Sequence, residues 1–141
     1  VIYYSTSGRN SQPGYERVSF DELLEQSDIV SIHAPLDENT LGLVNKEAFA
    51  KMKKSAILLN VGRGPIINEA DLAEALNNKT IAAAGLDVLS VEPMQEDNPL
   101  RGIKDSERLL ITPHIAWAGV EARNRLMGII LGQIKEFFDI K

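Results

Sequence analysis

Apolar residues gather along this chain in short runs, with stretches of helical spacing between them. Val1–Tyr4, Ile29–Ile32, Ile57–Leu59 and Leu109–Ile111 are runs of strand length, and Ile81–Val88 is a fifth, rich in Ala and Gly. Phe20, Leu23 and Leu24 recur behind a possible cap at Ser19, and Leu72, Ala73 and Leu76 recur behind Asn68, as on the inner face of a helix. Strands that alternate with helices form a parallel sheet, because parallel neighbours need a crossover connection that is usually helical. The pattern predicts an α/β fold, a doubly wound parallel sheet covered on both faces.

Two segments depart from the alternation. Val91 to Glu107, with Pro93, Pro99 and Gly102 among polar residues, predicts a long loop of the kind that often carries function. From about Val120 to Phe138 the apolar residues Leu126, Ile129, Ile130, Ile134 and Phe137 share one face, which predicts a terminal helix packed on the sheet. Val1-Ile2-Tyr3-Tyr4 opens in mid-strand, and the expectation is that a segment upstream is missing.

Composition narrows the function classes. With 141 residues and 44% apolar content, the chain can bury the core of one domain without disulfides or metals. Acids and bases are mixed to a net charge of -5 with no basic stripe, so nucleic acid is not an expected partner. The absence of cysteine excludes disulfides and thiolate metal sites, and no metal site is expected. The longest apolar run, Ala56–Leu59, is too short to span a bilayer, and no charged-then-apolar leader is present; the expectation is a cytoplasmic protein with no membrane partner.

Three strand ends carry chemistry. In Asn60-Val61-Gly62-Arg63-Gly64 an arginine sits between glycines that permit close backbone approach, at the carboxyl edge where open α/β sheets bind ligands. Gly85-Leu86-Asp87-Val88 leads into Glu92-Pro93, with two acids five residues apart, and Thr112-Pro113-His114-Ile115 puts a histidine just past an apolar strand. Pro113 rigidifies the approach to that histidine, and Trp117 is placed to wall off solvent. Alone, the arginine reads equally well as a surface loop residue and either acid as a solvated carboxylate, and a lone histidine at a strand end is more often a satisfied structural residue than a catalyst. Together Arg, Glu and His on one sheet edge suit reduction of a 2-keto acid: the arginine fork pairs a carboxylate, the histidine supplies a proton near neutral pH, and the glutamate favours the imidazolium.

These motifs, with Asp28-Ile29-Val30-Ser31-Ile32-His33-Ala34-Pro35-Leu36, resemble in order and spacing the D-isomer-specific 2-hydroxyacid dehydrogenase family over nearly the whole chain. The resemblance implies a Rossmann-like NAD-binding domain using NAD or NADP and an NAD(P)-dependent oxidoreductase acting on a small 2-keto acid. Arg63, Glu92 and His114 would be catalytic: Arg63 binding the substrate carboxylate, His114 donating the proton, Glu92 pairing with His114. Val61, Gly62, Arg63, Asp87, His114 and Ala116 would line the nicotinamide half of the cofactor, with Asp87 holding its carboxamide. His33, Ala34 and Pro35 would lie beside the adenine half, and Ser5 and Arg9 beside the adenosine ribose. His114-Ile115-Ala116-Trp117 is similar to the glycerate dehydrogenase and hydroxypyruvate reductase branch, which points to hydroxypyruvate and glyoxylate.

Two departures from the family pattern matter. Tyr3 to Arg9 presents no acid to the adenosine ribose, and Arg9 there leans toward tolerance of a 2'-phosphate. The family's G-x-G-x-x-G turn, its strand and its helix do not occur, nor does the N-terminal substrate domain. The reading is therefore residues 1–119 as the C-terminal part of a dinucleotide-binding domain truncated at its N-terminal side, and 120–141 as a C-terminal helix. The fragment itself is expected to be inactive, and the full-length protein to be a homodimer. In strand order 3-2-1-4-5-6 the absent first strand is expected between Val1–Tyr4 and Ile57–Leu59. A formate dehydrogenase would look to have Gln in place of Glu92. A dinucleotide-sensing interaction protein on the same fold is the rival from another class.

Overall fold

The computed structural model describes residues 1–140. A four-stranded parallel sheet is formed by β3 (Ile29–Ile32), β4 (Ile57–Asn60), β5 (Ala83–Leu86) and β6 (Leu109–Ile111), in that order. A separate parallel pair joins β1 (Ile2–Tyr3) to β2 (Glu16–Arg17). Helices α1 (Phe20–Gln26), α2 (Lys46–Lys51) and α3 (Glu69–Asn77) follow β2, β3 and β4. The α/β architecture expected from the sequence is the one observed.

The local signals are physical. Ser19 caps α1 in a reciprocal capping box with Glu22, Asn45 accepts from the Ala48 N–H to start α2, and Asn68 accepts from two N–H groups to start α3. Alternate strand residues Val30, Ile32, Leu58, Ala84 and Leu86 point into one core with Leu24, Phe49, Leu72 and Leu76 from the helices. That burial anchors the sheet edge on which the candidate residues sit, each large side chain contributing about 1.5–3 kcal/mol.

Four expectations are corrected. The strand after Val1–Tyr4 is β2, two exposed polar residues that carry no apolar signal, so Ile29–Ile32 moves one place along the order. β4 is paired on both sides, and no gap adjoins it. The unpaired edges belong to β1 and β3 instead, and a cleft of about 720 Å³ between them is lined by Ile2, Tyr3, Ile29 and Ser31. The three helices cover one face only: on the other, Ile29, Ile57 and Leu110 are exposed. Finally, α4 (Val120–Phe137) does not pack on the sheet, for none of its residues is buried and Ile129, Ile134 and Phe137 face solvent. Among the described residues, no helix is long and apolar enough to cross a membrane.

Candidate active site

The carboxyl ends of β3 to β6 carry the candidate residues on successive loops. After β3, the His33 ring nitrogen Nε2 lies 2.9 Å from Ser31 Oγ. The loop beyond it is tied down by buried Thr40, whose hydroxyl donates to the Pro35 carbonyl at 2.7 Å. Ala34 and Pro35 line one cavity with Val61, Gly62 and Arg63.

After β4, Asn60 does the shaping. Fully buried, it donates through Nδ2 to the Arg63 carbonyl at 2.9 Å and accepts from the Gly62 N–H at 3.0 Å, so its amide closes the Val61–Arg63 turn. The Arg63 guanidinium is exposed and donates to the Gly62 carbonyl at 2.8 Å, which leaves most of its five donors free. Gly64 is a glycine by contact: a Cβ there would lie 2.0 Å from the Leu89 carbonyl carbon, so the Arg63 turn sits directly on the backbone that follows β5.

That backbone carries Asp87 and Glu92. Asp87 is 5% exposed and accepts from the Thr112 hydroxyl, from the Ile115 N–H at 2.9 Å and from the Ala116 N–H at 2.8 Å. Its carboxylate therefore holds the turn that bears His114, and of its two oxygens only Oδ2 has a single partner. Burial pushes the Asp87 carboxyl up, but the hydrogen bonds from Thr112, Ala116 and Ile115, with His114 nearby, outweigh it and hold it below the usual range. The resulting contribution to stability is fully present above the unfolded carboxyl's pKa of about 3.9 and is lost as pH falls through the depressed folded value. Asp87→Asn should destabilise the fold near neutrality and much less in acid. Thermal unfolding of variant and parent from about pH 7 to about pH 3 reads this, and a constant gap across that range would reject it.

His114 sits at φ +55°, the left-handed region that side chains rarely adopt. Its backbone N–H donates to the Asp87 and Thr112 carbonyls at 2.9 and 3.0 Å, which holds it there. Nδ1 lies 2.9 Å from Glu92 Oε2, while Glu92 Oε1 accepts from the Leu89 N–H at 2.9 Å. The Leu89 N–H and then His114 hold the Glu92 carboxyl below the usual range. With Nδ1 turned to Glu92, Nε2 is the nitrogen left for a ligand. Trp117 is 61% exposed and walls off nothing here: its indole N–H donates to the His114 carbonyl at 2.8 Å.

Glu92 and His114 are thus in contact, while Arg63 lines a different cavity. A second cavity, of about 510 Å³, is bounded by Asp87, Glu92, Met94 and His114. Between the two, Val61, Asp87 and Ala116 share a third. At the far end of the row, beyond β1, Ser5 is buried and its Oγ has no hydrogen-bond partner. Arg9 is exposed there, and Arg17, which the sequence did not single out, donates to the Gly8 carbonyl at 2.8 Å across the same turn.

Comparison with known proteins gives consistent relatives. The family model described as "D-isomer specific 2-hydroxyacid dehydrogenase, NAD binding domain" matches residues 1–116. A hydroxypyruvate reductase of Blautia hydrogenotrophica is 54% identical over 120 residues, which are 85% of this chain and 36% of that protein. An acyclic imino acid reductase solved with NADPH and D-Arg superposes with a TM-score of 0.84 at 33% identity, over 99% of this chain and 43% of its own. A D-isomer specific 2-hydroxyacid dehydrogenase from Lactobacillus delbrueckii ssp. bulgaricus, in its NAD-complexed form, gives 0.79 at 26% identity over 99% and 46%. The chain spans less than half the length of each.

Proposed function

Because the chain belongs to the D-isomer specific 2-hydroxyacid dehydrogenase family through its NAD-binding domain, we propose that it serves a full-length NAD(P)-dependent oxidoreductase. The reaction is reduction of hydroxypyruvate or glyoxylate to D-glycerate or glycolate. The observation that carries this reading is the Glu92–His114 pair, held at 2.9 Å on a left-handed turn at the sheet's carboxyl edge. Rapid turnover of hydroxypyruvate by the full-length protein tests this reading, whereas a scaffold that merely senses dinucleotide would turn over slowly.

NAD or NADP is the cofactor of this reading, and the residues suit it: the unpartnered Ser5 hydroxyl is a buried hydrogen-bonding group on the loop after β1 that also carries Arg9, where the adenosine ribose would lie. When bound, the nicotinamide supplies the hydride. Val61, Gly62 and Ala116 would line its half, and His33, Ala34 and Pro35 the adenine half. The free position on Asp87 Oδ2 can accept from the carboxamide while the rest of that carboxylate holds the His114 turn. Arg63 pairs the substrate carboxylate and polarises the carbonyl. His114 donates from Nε2 to the carbonyl oxygen as it gains charge, and Glu92 on Nδ1 fixes the tautomer and orients the ring. In the same reading 1–119 belong to the dinucleotide-binding domain, 120–141 form a C-terminal helix, and the full-length protein is a cytoplasmic homodimer.

Arg63→Ala separates substrate from cofactor. Loss of hydrogen bonds to a charged group is expected to weaken hydroxypyruvate about 10- to 100-fold, with dinucleotide affinity unchanged. Equal weakening of both would remove Arg63 from its role. At the other end, Arg9→Ala should weaken NADPH use and spare NADH, and Arg17→Ala should act the same way because its guanidinium donates to the Gly8 carbonyl, next to Arg9 in the chain. Steady-state kinetics with both cofactors decides it, an equal loss with each, or none, speaking against 2'-phosphate recognition.

A further inference from the structure

Glu92 stands on a segment, 89–98, that has little regular structure of its own. Besides the Glu92–His114 contact, the Arg101 side chain donating to the Gln95 carbonyl at 3.0 Å and the packing of Leu89 and Met94 on the core, two contacts hold it from α3 and the turn before it. Gly64 presses against Leu89 as described, and Glu69, the first residue of α3, reaches across with both carboxylate oxygens. Oε1 accepts from the Ser90 N–H at 2.7 Å, and Oε2 accepts from Asn98 Nδ2 at 2.8 Å. Asn98 is itself fixed, because its Oδ1 accepts from the Leu100 N–H at 2.9 Å. One half-buried carboxylate therefore staples the segment on both sides of Glu92.

We propose that Glu69 is a positioning residue for the proton-donating pair: by pinning Ser90 and Asn98, it holds the Leu89–Glu92 turn at the distance at which Glu92 meets His114. The route is short. Ser90 is fixed by Glu69, and its neighbour Leu89 donates to Glu92 Oε1, whose other oxygen contacts His114 Nδ1. The groups facing the Glu92 carboxylate are the Leu89 N–H, His114 and, at longer range, Asp87. Only Leu89 belongs to the stapled segment, so loosening the staple removes one of the two contacts that fix the carboxylate. This rests on the proposed roles of Glu92 and His114.

The test follows the Glu92 side-chain carboxyl by carbon NMR through an acid titration of the full 141-residue chain, with assignment by Glu92→Gln. Glu69→Ala is expected to move the Glu92 midpoint up toward the ordinary carboxylate range, since loss of the ordered Leu89 N–H removes a contact that favours the charged form. Glu69→Gln, nearly isosteric, keeps an acceptor for Ser90 but turns a donor toward Asn98, so it should give a smaller rise and guards against misfolding of the alanine variant. An unchanged midpoint in both variants would overturn the proposal. In the full-length protein, kcat for hydroxypyruvate should fall about 10- to 100-fold in Glu69→Ala with KM for NADH unchanged, because small misplacements of a catalytic group cost on that order. A raised midpoint without any hydroxypyruvate turnover in the parent protein would retain the staple and reject the enzymatic reading.

Discussion

Replacing His114 with Asn in the full-length protein is expected to lower the rate of keto-acid reduction by about two to four orders of magnitude, the range for loss of a general acid. Asn suits the test because of the backbone. Position 114 has φ +55°, and Asn is among the few side chains that enter the left-handed region readily, whereas Ala would add strain to the loss of chemistry. The turn should therefore survive, with the Asp87 carboxylate still accepting from Thr112, Ile115 and Ala116. Dinucleotide affinity should be close to the parent's, and the loss should fall on kcat. Turnover within a few-fold of the parent, with the fold verified by circular dichroism, would show that the proton comes from elsewhere.

The pairing behind that prediction was legible in the sequence only as order and spacing. Arg63, Glu92 and His114 each follow an apolar run, and successive strands of a parallel sheet end on one edge, so their sharing that edge follows from chain pattern. The residues that shape the site left no such trace. Asn60 and Glu69 act through hydrogen bonds to backbone groups of other loops, and a polar side chain gives no periodic signal of its partner. Buried Asn60 could have been suspected, since it ends an apolar strand at a position whose alternate neighbour Leu58 points into the core. α2 escaped notice because six residues make fewer than two turns, and only Ala48 and Phe49 of it are buried. The misplaced gap has one cause, the polar pair Glu16–Arg17, which forms a strand by pairing with β1 and not by apolar pattern. The apolar periodicity of α4 was real, but periodicity reports a face that wants burial and not which surface provides it.

Prepared alone, the 141 residues are expected neither to bind a dinucleotide tightly nor to transfer hydride. Their sequence holds no G-x-G-x-x-G turn, so the backbone N–H groups that cradle a pyrophosphate at a helix N-terminus are not supplied by this chain. The cleft between β1 and β3 lies between the Ser5, Arg9 and Arg17 end of the row and the loops after β3 and β4, so no strand pairing crosses it, and the two halves of the site are joined through α1, whose Leu24 is in the core and whose Phe20 ring meets Tyr4. The unpaired strand edges and the bare sheet face with Ile29, Ile57 and Leu110 should also promote self-association, visible in sedimentation. Trp117 is the single tryptophan and adjoins Ala116 at the nicotinamide end, so its fluorescence reports occupancy directly. Titration with NADH and NADPH is expected to give no saturation at micromolar cofactor. Saturable quenching in that range, from monomeric protein, would mean that the β3 to β6 loops alone hold a dinucleotide and that the glycine-rich turn contributes far less than its geometry suggests.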